Sequence, residues 1–98
     1  MKTAITVATP NELSREVIIV NELGLHARSA GQIAKLAQNC RAGLWLQKDD
    51  QRVDATSIMD ILSLACGKGT RIRLIIDNAA DIDVLNAIVE LVESGFGE

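Results

Sequence analysis

Hydrophobic and polar positions change period several times along the chain, and the changes divide it into elements. Val17-Ile18-Ile19-Val20 is a β-branched run with the length and composition of a strand. Gly24 gives the backbone freedom to turn soon after it. Over residues 27–39, Ala30, Ile33, Ala34 and Ala37 recur at three- and four-residue spacing. Arg28, Gln32, Lys35 and Gln38 fall largely elsewhere on the wheel, so the spacing predicts an amphipathic helix. Residues 42–48 alternate, with Leu44 and Leu46 opposite Trp45; Asp49-Asp50 marks a turn, and residues 51–54 read as a short returning strand. Residues 57–65 form a short apolar helix closed by Gly67-Lys68-Gly69. Residues 71–77 alternate again, with Ile72, Leu74 and Ile76 on one face. A last amphipathic helix over residues 81–94 turns Ile82, Leu85, Ile88, Val89 and Val92 inward and ends at Gly95.

The order is β-α-β-β-α-β-α. Strands with a single apolar face need helices on that face only, which predicts a two-layer α+β fold: a mostly antiparallel sheet of four strands under three helices. One feature strains this arrangement. If Val17 and Ile19 face the helices, then Ile18, Val20, Trp45 and Ile75 form an apolar patch on the opposite side. Residues 1–14 stand apart as an N-terminal extension, with weak alternation over residues 2–8 and the only proline, Pro10; residues 15–98 form the domain proper. An added strand from residues 3–8, folded back beside residues 17–20, would cover the patch, and so would a dimer.

Composition narrows the function classes. A chain of 98 residues is one domain, and 48% apolar content argues against disorder. Trp45 and Phe96 are the only aromatic residues, so the core is aliphatic. The net charge is −3 with no basic run, which argues against nucleic acid as the main partner. The N-terminus lacks a secretory pattern, and no apolar run approaches the ~18–20 residues of a membrane span, so a cytoplasmic protein is expected. Cys40 and Cys66 lack metal-site or redox-motif spacing and read as reduced thiols. No Walker loop or metal cluster is present, so neither cofactor nor metal is expected.

The single histidine, His26, lies between a glycine turn and the first helical residue. The free N–H groups of Ala27 and Arg28 should point at it. A helix N-terminus favours an anion by about 0.3–1 kcal/mol, sometimes ~2, and by the same field disfavours imidazolium. A neutral, nucleophilic ring that acquires phosphate would gain negative charge where those donors wait, with Arg28 adding a charge-assisted bond. A bland surface or capping role is the competing reading. Ser57, three residues before Asp60, reads first as a helix N-cap worth about 1 kcal/mol. A cap also tolerates phosphate, so Ser57 is a candidate regulatory site. Ile58, Met59 and Leu62 form a candidate docking patch beside it, with a core role for Leu62 equally open.

Gly24-Leu25-His26-Ala27-Arg28, Ser57-Ile58-Met59 with Leu64 beyond, and Lys68-Gly69-Thr70 together resemble the HPr family of histidine-containing phosphocarriers of the bacterial phosphotransferase system. The resemblance covers residues 15–98. It implies an open-faced β-sandwich and a phosphoryl group carried on Nδ1 of His26, a carrier rather than an enzyme. It also implies receipt from enzyme I and delivery to enzyme IIA domains, with Ser57 as the serine that HPr kinase/phosphorylase modifies. Two residues depart from the family pattern. Ser29 stands where proline is usual, implying a less rigid helix start, and Asp60 stands where many members have a basic or small residue, implying weaker affinity for an acidic surface. Leu91-Val92-Glu93-Ser94-Gly95-Phe96 resembles the nitrogen-branch version, making a nitrogen-branch regulator one alternative. A different class, an anion-sensing module that uses His26 without carrying phosphate, is the other.

Overall fold

A computed structural model describes residues 13–98. Four strands, β1 (Ser14–Ile18), β2 (Leu44–Lys48), β3 (Gln51–Asp54) and β4 (Arg71–Ile76), alternate with helices α1 (Ala27–Ala37), α2 (Ile58–Ser63) and α3 (Ile82–Glu93). Short 3-10 turns flank α3 at Ala79–Asp81 and Gly95–Gly97. The strands form one antiparallel sheet in the order β1-β4-β2-β3. Val17 lies opposite Ile72, Leu46 opposite Leu74, and Leu44 opposite Ile76. This register puts all six side chains on the buried face, as strand alternation requires. There they meet Ala30, Ile33 and Ala34 of α1, Ile61 of α2, and Leu85, Ile88 and Val92 of α3. Each large aliphatic side chain so buried contributes roughly 1.5–3 kcal/mol relative to exposure. The fold is therefore the expected α+β open-faced sandwich.

Element ends differ from the sequence expectation for identifiable reasons. The first strand starts earlier, at Ser14, because pairing with β4 extends across Ser14, Arg15 and Glu16, whose polar side chains hide the period. Beyond Ile18 the ladder gives way to two loop bonds: Ile19 N–H donates to Thr70 O and Gly69 N–H to Ile19 O. Helix α1 stops at Ala37, after which Asn39 and Cys40 donate to carbonyls three residues back. Helix α2 ends at Ser63, with Leu64 as its C-cap, because Ala65 takes a left-handed φ of 54°, a turn the sequence reading assigned to the glycines beyond. Gly95, with φ 71°, terminates α3 as expected.

Ile18 and Val20 are exposed on the helix-free face, and Trp45 and Ile75, opposite each other in the register, are half-buried there. The added strand expected from residues 3–8, the proposed cover for this patch, lies outside the described residues.

Asp81 ties the start of α3 to the loop between α1 and β2. Its buried carboxylate accepts the N–H groups of Arg41 at 2.7 Å, Ala42 at 2.9 Å and Gly43 at 3.3 Å. Those bonds hold its carboxyl below the usual carboxylate range.

Candidate functional site

The loop before α1 is built around two residues that leave little choice to the backbone. Gly24 adopts φ 66°, and a Cβ there would lie 2.5 Å from the carbonyl oxygen of Cys66. Only glycine relieves both the left-handed backbone and that approach. The next N–H, from Leu25, donates to the same Cys66 oxygen at 2.8 Å. Asn21 closes the turn twice: its carbonyl accepts from Gly24 N–H at 3.1 Å, and its side-chain amide donates to Gly24 O at 2.9 Å.

His26 is the N-cap of α1, in an extended conformation with φ −125°. Its Nδ1 accepts the backbone N–H of Arg28 at 3.3 Å, so one of the helix's first free amides does point at the ring. The ring is 29% exposed and therefore reachable by another protein. Its Nε2 lies 2.6 Å from Oε2 of Glu98. The other oxygen of Glu98, Oε1, accepts from Nδ2 of Asn21 at 3.0 Å. The Asn21 amide first, and then the His26 ring, hold the Glu98 carboxyl below the usual range, with the Arg28 guanidinium acting through space in the same direction. Arg28 itself is exposed, its charge beside the ring and carboxylate.

Ser29 departs from the expected looseness of the helix start. Its Oγ accepts the backbone N–H of His26 at 2.9 Å, and its hydroxyl is placed to donate to Gly24 O or His26 O, each 3.2 Å from Oγ. The side chain is fully buried. A capping hydroxyl thus restrains the backbone where a proline ring would preset φ.

Ser57 caps α2, its Oγ accepting from Asp60 N–H at 3.2 Å, and Asp60 is the acidic residue in the first turn. Helices α1 and α2 pack together, and Gly31 leaves room for Ile58, whose Cδ1 would lie 3.7 Å from a Cβ placed there. Ile58 is 41% and Met59 75% exposed, whereas Leu62 is half-buried against the core. Leu23, in the histidine loop, is 71% exposed, an apolar residue that the sequence analysis did not single out.

Glu98 and Asn21 also escaped the sequence analysis. Their link to His26 is tertiary, and no local pattern announces it. The sole signal was Gly95-Phe96-Gly97, since a lone aromatic between glycines suggests an anchored turn. Phe96 is in fact fully buried, with φ 60°. Burial also pushes the thiols of Cys40 and Cys66 up from their usual range. Among the described residues no helix is long and apolar enough to cross a membrane, and no group of three or more His, Cys, Asp or Glu is placed to hold a metal.

Comparison with known proteins places this geometry in a family. Residues 13–94 match the family model described as the PTS HPr component phosphorylation site. The phosphocarrier protein HPr of Neisseria meningitidis is 37% identical over 86 residues, covering 88% of this chain and 97% of its own. That of Pseudomonas putida is 39% identical over 87 residues, covering 87% and 96%. Among solved structures, HPr from Thermoanaerobacter tengcongensis superposes with a TM-score of 0.81 at 35% identity, over 87% of this chain and 96% of that one. HPr from Bacillus anthracis gives 0.75 at 31% identity, over 82% and 95%. The chain belongs to the HPr family of phosphocarrier proteins of the phosphotransferase system.

Proposed function

We propose that this protein takes a phosphoryl group from enzyme I onto Nδ1 of His26 and passes it to an enzyme IIA domain in the cytoplasm. The observation that carries this reading is a part-exposed imidazole at a helix N-cap, with its Nδ1 facing the Arg28 amide. That amide bond is long, so an incoming phosphorus can displace it. The N–H then donates to a phosphoryl oxygen, together with the Ala27 amide at the same helix start. Arg28 adds a charge-assisted bond that solvent screening keeps to roughly 1 kcal/mol or less. The sum is modest, which suits a group that must be handed on rather than stored. Exposed Ile58 and Met59, with the edge of Leu62, supply apolar contact for the partners. In this reading enzyme I is the source of the phosphate.

The test is incubation with enzyme I and phosphoenolpyruvate. Mass spectrometry should show one acid-labile phosphoryl adduct, lost in His26→Ala; a wild-type protein that acquires none under a competent enzyme I contradicts the reading.

Ser57 is the regulatory position in this reading, a substrate for HPr kinase/phosphorylase. Aspartate caps a helix about as well as serine, so Ser57→Asp should keep the wild-type thermal midpoint. Its charge, beside Asp60 on the docking face, should slow transfer from enzyme I several-fold. A large drop in midpoint would assign Ser57 to stability alone.

A further inference from the structure

We propose that Lys48, at the end of β2, is a positioning residue for phosphoryl transfer: its ammonium clasps the end of α2 and keeps the backbone behind the histidine loop in place. The proposal rests on the carrier reading and adds to it a residue of the sheet.

Leu44 and Leu46 of β2 are buried against the helices, and strand alternation puts Lys48 on the same side. At the end of the strand its stem leaves the core while its charged head reaches outward. The head meets the last carbonyls of α2, which have no acceptor role inside the helix. Lys48 Nζ donates to Leu64 O at 2.9 Å and to Ala65 O at 3.3 Å.

Ala65 is the residue that most needs holding. Its φ of 54° is left-handed, and a residue with a Cβ persists there only where its surroundings over-determine it. Its N–H is spent on Leu62 O at 3.1 Å, so the amide side is fixed by the helix itself. The Lys48 ammonium fixes the carbonyl side.

What this turn delivers is Cys66. The residue is buried, and its carbonyl accepts Leu25 N–H at 2.8 Å. The same oxygen lies 2.5 Å from where a Cβ on Gly24 would sit. Cys66 is thus the wall against which residues 24 and 25 are laid, and His26 follows directly. Without the clasp, Ala65 can relax toward right-handed backbone, and Cys66 O then swings off Leu25. The loop that aims Nδ1 of His26 at the Arg28 amide loses its support.

Lys48→Met keeps the stem and removes the ammonium. Hydrogen exchange should show the Leu25 amide losing about tenfold in protection while the amides of the central strand β4 keep theirs. Phosphorylation by enzyme I and phosphoenolpyruvate should slow several-fold in kcat, with KM changed less. Adding Ala65→Gly to Lys48→Met removes the left-handed strain, so it should restore both Leu25 protection and kcat. Equal loss of protection at Leu25 and in β4 would make Lys48 a residue of overall stability and overturn the proposal. Unchanged Leu25 protection, a wild-type kcat with Leu25 exposed, or a double variant as slow as Lys48→Met would overturn it too. A wild type that a competent enzyme I never phosphorylates would instead sink the carrier reading, while the exchange data would still decide whether Lys48 holds the loop.

Discussion

At Gly24 a left-handed backbone coincides with the close approach of Cys66 O, and both conditions act on the residue two places before His26. A left-handed non-glycine residue costs about 1–2 kcal/mol, and the 2.5 Å approach to a backbone atom adds to it. Gly24→Ala should therefore lower the urea midpoint by at least that equivalent and slow transfer, because the loop relaxes by moving His26. A variant with the wild-type midpoint would mean that the loop is not strained at this point. His26, Arg28 and Ser57 were legible in the sequence because helix starts obey local rules of capping and free amides. The contacts of Glu98 with Asn21 and His26 were not, since they join residues far apart in the chain. Ser29 was seen only as a missing proline. The hydroxyl that ties down the His26 backbone needed the actual cap geometry to be recognised.

At the scale of elements, apolar period gave the order of strands and helices and the inward faces of β2, β4 and α3. It misjudged ends where polar residues join a ladder, as at Ser14, or where a non-glycine residue turns left-handed, as at Ala65. The Asp81 staple was invisible for a related reason: its three partners are backbone amides some forty residues earlier, which no side-chain pattern encodes. Its consequence is measurable. The folded carboxyl titrates below its unfolded value of about 3.9, so Asp81 stabilises the fold above that pH and the contribution fades as pH falls through the depressed folded value. Urea midpoints measured from pH 7 down to 3 should fall at the acid end in the wild type. Asp81→Asn should be less stable at pH 7 and show a shallower acid decline; parallel curves would contradict this role for the carboxylate.

The whole molecule separates its tasks by face. One side of the sheet is sealed by three helices around a core that is aliphatic apart from the buried Phe96, which the expectation of a purely aliphatic interior had left out. The helix starts present His26 and Ser57, near exposed Leu23, Ile58 and Met59. The opposite side carries exposed Ile18 and Val20 beside cross-strand charges, such as Glu16 with Arg71 and Arg73. Alternation predicted this division, since a one-residue shift of register would have exchanged the two faces. The packing of α1 on α2 sets the candidate regulatory cap and the histidine cap on adjoining helices.

The central claim is that Nδ1 of His26 is the atom that carries phosphate. Phosphorylating 15N-histidine-labelled protein with enzyme I and phosphoenolpyruvate, then locating the phosphorus by 15N–31P coupling, tests it directly. The account predicts coupling to Nδ1; phosphorus on Nε2, or on a residue other than His26, would contradict it.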